Sequence, residues 1–205
     1  MKIKILIPIY NDWQSADKLI NKIDNLVKEI NHEFSVVIVN DGSSEIKPDG
    51  FGFSENLHSV QILNIKKNMG HARCIATGLK HIFQNDEFDY IIPMDGDGED
   101  RPEEIKIFID NLSYNPDTTI VGERVKRSEG IIFKLSYSIH KLITFIFTGK
   151  SIKFGNYTFL PKKTVEKLIN DKSTWSSFSG ALSKLEKNLA TIPSERGARY
   201  FGPSK

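Results

Sequence analysis

Short apolar runs alternate with longer stretches of helical spacing along the first 121 residues. Residues 2–9 (KIKILIPI) predict a buried strand interrupted near its end by Pro8. Over 12–30, Ala16, Leu19, Ile20, Ile23, Leu26, Val27 and Ile30 recur at three- and four-residue steps, which is one face of a helix. Residues 34–39 (FSVVIV) predict a second strand and 59–65 a third. A second helix is expected over 71–83, where Ile75, Leu79, Ile82 and Phe83 share a side. A fourth strand follows at 90–94 (YIIPM). Pro102 suits the first turn of a helix running to about residue 112, and 118–121 makes a fifth strand. Strands this apolar, alternating with helices, predict an α/β fold with a mostly parallel sheet covered by helices on both faces.

Folds of this kind bind ligands in the crevice beyond the carboxyl ends of their strands. Here those ends lead into Tyr10-Asn11-Asp12, Asn40-Asp41-Gly42-Ser43, Lys66-Lys67-Asn68-Met69-Gly70 and Asp95-Gly96-Asp97. Four loops rich in Asp, Asn and Gly at strand ends make a candidate site.

The pattern changes after residue 123. Residues 131–148 (IIFKLSYSIHKLITFIFT) are strongly apolar, yet they enclose Lys134, His140 and Lys141, which argues against a membrane span. Lys134, Ser138, Lys141, Thr144 and Thr148 fall on one narrow polar stripe. The wide apolar remainder predicts an amphipathic helix that packs into the core or lies against a membrane or partner.

Composition changes this picture little. With 205 residues, 39% hydrophobic and 26% charged, the chain suits one domain with its own core and excludes disorder and fibres. Cys74 is the single cysteine, so no intrachain disulfide forms and a reducing compartment fits. Residues 1–8 are too short an apolar stretch for a signal peptide. Charge adds more. Residues 124–172 hold 11 Lys and Arg against 3 Asp and Glu, a local balance of +8 in a chain of net +2. Such a basic stretch suits an anionic partner or, more simply, a solvated face. Nucleic acid ranks last among the anions, because no aromatic platform is interleaved and no known motif occurs.

Chemistry concentrates at Asp95-Gly96-Asp97-Gly98-Glu99-Asp100. Two carboxylates one residue apart can approach the same divalent cation if the backbone turns, and Gly96 and Gly98 permit the turn. Hard oxygen ligands favour Mg²⁺ or Mn²⁺. A calcium-binding loop fits less well, since the glycine and distal glutamate it requires are missing at the right spacings. Taken alone, Asp-x-Asp is more often an acidic surface turn than a metal site. Asp41 at the end of the second strand is a turn residue or an acceptor for base or ribose hydroxyls. Asn68, Gly70 and Arg73 open the second helix, whose first N–H groups suit an anion as well as an ordinary cap.

In order, the series Pro-Ile-Tyr-Asn, Val-Asn-Asp-Gly-Ser, Asn-Met-Gly-His-Ala-Arg and Met-Asp-Gly-Asp-Gly-Glu-Asp, each after a strand, resembles family 2 glycosyltransferases of the GT-A fold. The second half continues with Gly122-Glu123-Arg124-Val125-Lys126-Arg127, then the apolar segment, Gly155-Asn156-Tyr157-Thr158-Phe159, and Arg199-Tyr200-Phe201-Gly202-Pro203-Ser204-Lys205. That order is similar to the polyprenyl-phosphate sugar synthases, the branch of dolichyl-phosphate mannose synthase and bacterial polyprenyl-phosphate glycosyltransferases.

The resemblance implies one GT-A domain over 1–205, with 1–122 the nucleotide-sugar and metal half and 123–205 the acceptor and membrane-facing half. It implies a metal-dependent hexosyltransferase that moves a hexose from a UDP- or GDP-sugar to a polyprenyl phosphate with inversion, at the cytoplasmic face of a membrane. Pro8, Tyr10, Asn11 and Asp41 would hold the nucleoside, with Lys66, Asn68, Gly70, Arg73 and Gly96 completing the donor site. Asp95 and Asp97 would bind Mg²⁺ or Mn²⁺ and the diphosphate. Arg124 and Arg127 would meet phosphate, a role their guanidinium forks suit. Arg199 and Lys205 would close the site. The resemblance leaves two cases: a soluble catalytic subunit that docks at a membrane surface, alone or with a small membrane subunit, or a transmembrane region that follows in the whole protein. Position 156 is Asn where relatives commonly carry Asp, and Asn cannot act as a base. A sugar-hydroxyl acceptor would then call on Glu99 or Asp100. Two other functions fit the same residues: a soluble glycosyltransferase acting on a saccharide, and a nucleotide-sugar-binding subunit without catalysis.

Overall fold

Strand β1 (Lys2–Ile9) sends its side chains alternately to two apolar layers. Ile3, Ile5, Ile7 and Ile9 join one buried cluster and Leu6 the other. Strand β2 (Glu33–Asn40) repeats the division, with Val36 and Ile38 on the first side and Val37 and Val39 on the second. Period-two geometry thus turns a continuous apolar run into two inward faces, and both must be covered.

The computed structural model describes residues 1–112, 116–124 and 153–202. The expected amphipathic helix over 131–148 lies outside the described residues. None of the helices described is long and apolar enough to cross a membrane.

Helix α1 (Trp13–Val27) covers the first face with Trp13, Ala16, Leu19, Ile20, Ile23 and Val27. Helix α2 (His71–Asn85) covers the second with Cys74, Ile75, Leu79 and Ile82. It packs so closely that a Cβ on Gly78 would sit 2.3 Å from Leu6 Cδ1, so only glycine fits there. Between them run β3 (Ser59–Asn64) and β4 (Tyr90–Pro93). Helix α3 (Glu104–Asn111) adds Ile105 and Phe108 to the first face. It begins two residues after Pro102, which instead accepts the N–H of Ile105 in the preceding turn. Strand β5 is Ile120–Arg124, later than the 118–121 expected.

The second half contributes elements that apolar periodicity did not announce. Strand β6 (Phe154–Pro161) is followed by helices α4 (Lys162–Asn170) and α5 (Phe178–Leu185) on the second face, and then by β7 (Ala190–Ser194). Among the described residues the sheet runs β3-β2-β1-β4-β6-β5-β7. Pairs β1–β2, β1–β4, β2–β3 and β5–β7 are parallel. Only β6 runs the other way, antiparallel to both β4 and β5. The mostly parallel sheet predicted from the sequence is therefore observed, and the carboxyl ends of β1, β2 and β4 open on one edge.

Candidate active site

Each wall of the cleft on that edge is held by backbone geometry. After β1, Asn11 takes a left-handed conformation with φ of 49°. Its N–H donates to Ser43 Oγ at 2.9 Å, and its Oδ1 accepts the N–H of Glu45 at 3.0 Å. Asn11 therefore ties the β1 loop to the β2 loop. After β2, Asp41 is buried, and its two oxygens accept the N–H groups of Met69 and Gly70 at 2.7 and 2.9 Å. It caps the entry to α2, whose N-cap Gly70 has no side chain for the purpose.

The resulting cleft of about 430 Å³ is lined by Pro8, Tyr10, Asp12, Asp41, Asn68, Gly70, His71, Cys74, Asp95, Gly96, Asp97 and Arg199, with Ile9. Seven residues expected from the sequence are thus brought together with Asp95: Pro8, Tyr10, Asp41, Asn68, Gly70, Gly96 and Asp97. Asn11, Lys66, Arg73 and Arg124 are not among the lining residues. Lys66 and Arg73 are exposed. Arg124 stands farther along β5, with its Nη2 against Gly155, and its charge still reaches Asp95. Arg127 and Lys205 lie outside the described residues.

The centre of the cleft is a three-cornered contact. His71 Nε2 is 3.3 Å from Asp95 Oδ1, and Asn156 Nδ2 is 3.3 Å from that oxygen and 2.6 Å from Nε2. Burial pushes the Asp95 carboxyl up, but His71, Asn156 and the Arg124 charge outweigh it and hold the group below its ordinary value. Burial likewise pulls the His71 imidazole down, and Asp95, Asp97 and Asp41 reverse that, leaving it raised. The two shifts agree with an ion pair.

Asp97 sits one step away. Its Oδ1 accepts the N–H of Glu99 at 2.9 Å, and its Oδ2 meets Arg199 Nη1 at 2.5 Å. Arg199 Nη2 reaches Asp12 Oδ2 at 3.0 Å. Burial and the charge of Asp95 raise the Asp97 carboxyl despite Arg199 and Arg196. Asp100 faces inward, where its Oδ2 accepts the N–H of Asp95 at 2.8 Å. Burial and Asp95 raise it well above the carboxylate range. Glu99 is engaged by Arg196. Neither Glu99 nor Asp100 lines the cleft, so the two carboxylates considered for a base serve the turn instead.

A divalent cation suits this donor set. Three carboxylates crowd one turn and repel one another, and Asp95 and Asp97 face the cleft. Among the described residues no three His, Cys, Asp or Glu side chains converge on one point. Mg²⁺ and Mn²⁺ need no such cage, because one or two carboxylates with substrate phosphates and waters complete their shell.

The model of glycosyl transferase family 2 matches residues 4–176. The chain belongs to this family. Family members of similar sequence include the undecaprenyl-phosphate 4-deoxy-4-formamido-L-arabinose transferases of Klebsiella pneumoniae (strain 342), 25% identical over 213 residues, and of Salmonella choleraesuis (strain SC-B67), 26% identical over 212. Each alignment covers 100% of this chain and 62% of the relative, so the chain spans less than two thirds of their length. Among solved structures, glucosyl-3-phosphoglycerate synthase from Mycobacterium tuberculosis, in complex with Mn²⁺, UDP and phosphoglyceric acid, superposes with a TM-score of 0.67 at 12% identity. That match covers 98% of this chain and 72% of the other. S. aureus TarS 1–349 in complex with UDP-GlcNAc gives a TM-score of 0.57 at 14% identity, covering 98% and 60%. These neighbours establish the GT-A fold for this glycosyltransferase family member.

Arg199, expected to close the site, lines the cleft, and Asp12, His71 and Cys74 complete it without having been singled out as donor-site residues. The sequence places Asp12 and His71 inside motifs, at the entries of α1 and α2, where each looks like an ordinary helix start. Asp12 has no capping bond to its own helix, because its carboxylate turns to Arg199.

Proposed function

We propose that this chain is an inverting glycosyltransferase that moves a hexose from a UDP- or GDP-sugar to a polyprenyl phosphate. One observation carries the reading: Asp95 and Asp97 share a cleft with His71 and Arg199 at the carboxyl ends of parallel strands. The names of the undecaprenyl-phosphate relatives support the lipid acceptor, and a UDP-bound neighbour supports the nucleotide donor.

Pro8, Tyr10 and the wall shaped by Asp41 take the nucleoside. Asp95 and Asp97 would hold Mg²⁺ or Mn²⁺, which neutralises charge on the departing diphosphate when bound. An oxygen of the lipid phosphate attacks the anomeric carbon in line. The bond from that carbon to the diphosphate oxygen breaks, and the nucleoside diphosphate leaves with the electron pair. His71 and Asn156 orient Asp95 through its Oδ1. No side chain has to remove a proton, since a phosphate monoester with a second pKa of about 6 is mostly dianionic near neutral pH. Asn156 is compatible with that acceptor, whereas a sugar hydroxyl would need a base. The basic stretch 124–172 would hold the domain peripherally on the anionic cytoplasmic face of a membrane.

The test supplies labelled UDP- and GDP-sugars, with and without Mn²⁺, and a short-chain polyprenyl phosphate in detergent. Metal-dependent label in the organic phase with one nucleotide is the expected result, lost in Asp97→Ala. Transfer to soluble sugars without lipid would move the acceptor to a saccharide. Donor binding without transfer to either would make the chain a nucleotide-sugar-binding subunit.

A further inference from the structure

Segment 195–202 follows β7 and is strapped across the acidic turn. The N–H of Glu195 donates to Glu104 Oε1 at 2.8 Å, that of Gly197 to the Glu99 carbonyl at 2.8 Å, and that of Tyr200 to the Asp97 carbonyl at 2.9 Å. The Tyr200 ring covers Gly98, and Lys18 Nζ and Lys22 Nζ lie 5.0 and 4.8 Å from its centre. Arg199 stands in the middle of the strap and spans Asp97 and Asp12.

That position carries a conflict. Each oxygen of Asp97 accepts a hydrogen bond, Oδ1 from the Glu99 N–H and Oδ2 from Arg199, so a cation on the remaining lone pairs would sit directly beside the guanidinium charge. A divalent cation needs a carboxylate oxygen at about 2.0–2.2 Å, with no guanidinium on that same lone pair. The Arg199 Nε is also buried without a partner among the described residues, so the guanidinium is only partly satisfied where it lies. A residue with two charged partners and one orphaned donor is held by the charges rather than by a complete polar environment.

We propose that Arg199 is a built-in counter-cation of the metal-free cleft, and that a divalent cation arriving at Asp97 displaces it and loosens the strap over 195–202. The inference rests on the proposed role of Asp97. In the metal-free state the guanidinium neutralises Asp97 and Asp12 and keeps the acidic turn closed. When the cation takes Asp97, Arg199 loses one of its two carboxylates and is repelled by the new charge. The Tyr200 and Gly197 hydrogen bonds on either side are then the first to open.

The experiment measures Mn²⁺ affinity by electron paramagnetic resonance, with no donor and no turnover. It compares the full chain with Arg199→Ala and with Arg196→Ala. The latter removes the same charge from the same strap but pairs with Glu99. Arg199→Ala is expected to bind Mn²⁺ about tenfold more tightly, the scale of one charge-assisted bond removed from competition, and Arg196→Ala much less so. In the unmutated chain, Mn²⁺ should speed amide hydrogen exchange at Gly197 and Tyr200, a reading that needs no variant to fold. Equal gains from both variants would reduce Arg199 to a general charge effect and overturn the proposal. Mn²⁺ binding with unchanged exchange, or without response to Arg199→Ala, overturns it too while leaving Asp97 as the metal residue. Failure of all three proteins to bind Mn²⁺, with or without UDP, removes both readings together.

Discussion

The ring of Tyr200 lies against Gly98 so closely that a Cβ on the glycine would be 2.5 Å from Cζ. Gly98 also has a φ of 89°, which side-chain-bearing residues rarely adopt. Gly98→Ala is therefore strained twice, by its own backbone and by the ring. We expect a loss of about 1–3 kcal/mol in urea unfolding, together with weaker donor binding because Asp97 shares the turn. Full stability in the variant would mean that Tyr200 moves aside without cost.

Asn156→Asp brings a further carboxylate to within about 3.3 Å of Asp95 Oδ1. Without metal its repulsion from Asp95 is offset by the raised His71 imidazole 2.6 Å away, so the melting temperature changes little, and with Mn²⁺ the repulsion becomes attraction. Mn²⁺ affinity should rise about tenfold, as ligand charge usually sets the affinity of such sites. Turnover on a lipid phosphate should change little, whereas turnover on a sugar hydroxyl should increase. Calorimetric melting with and without Mn²⁺, beside both transfer assays, separates these effects.

Asp24 fastens the loop before β3 to α1. Its Oδ1 accepts the N–H groups of Asn56 and Leu57 at 2.8 and 3.0 Å, and its Oδ2 those of the Asn56 side chain and Glu55 at 3.0 and 3.3 Å. Burial pushes the Asp24 carboxyl up, but the donors from Asn56, Leu57 and Glu55 outweigh it and hold the group below its ordinary value. Asp24→Asn should cost about 1.5–3 kcal/mol at neutral pH. A depressed carboxyl stabilises the fold fully above the unfolded value of about 3.9 and loses that contribution as pH falls through the folded value. The gap between the two proteins should therefore hold from pH 5 to 7 and close below about pH 4. A gap that stays constant in acid would assign the effect to shape rather than charge.

Cys74 lies buried under the cleft beside Asp41. Burial, a hydrogen bond to Asp41 and the charge of Asp41 push its thiol up to about 12. Iodoacetamide should leave it unmodified at pH 8 in the folded protein and label it readily in urea, since only the thiolate reacts. The unfolded thiol ionises near about 8.5, so folding stability should decline as pH rises from there toward the folded value. Rapid labelling of folded protein would contradict the burial.

The strands of the first half were legible because a sheet covered on both faces leaves no polar alternation, as β1 and β2 show. The site loops followed from those strands, since parallel topology alone sets their ends on one edge. Strand β6 was not legible as a strand: FGNYTFLP mixes Gly and Asn with aromatics, and its partners are chosen by long-range pairing rather than local pattern. The role of His71 and the partners of Arg199 were hidden for a related reason. His71 meets Asp95 because a helix start and a strand end share an edge, and Arg199 meets Asp12 across 187 residues of sequence. No spacing rule reaches that far.

The antiparallel insertion of β6 also governs the order in which the molecule can be assembled during synthesis. Strands β1 to β4 pair with one another in an unbroken run, and only the outer edge of β4 waits for a later partner, so that half of the sheet can close as soon as residue 93 is available. Strand β5 emerges next and has no neighbour to join, because both of its partners, β6 and β7, come later in the chain. Until β6 arrives, β4 keeps an unpaired edge beside the acidic turn and β5 waits unpaired, the kind of exposed strand that invites association between nascent chains. The Asn156 corner of the cleft is delivered by the strand that ends this interval. Strand β6 thus joins the two halves of the sheet and brings Asn156 to Asp95 in one step, while β7 and then Arg199 come last.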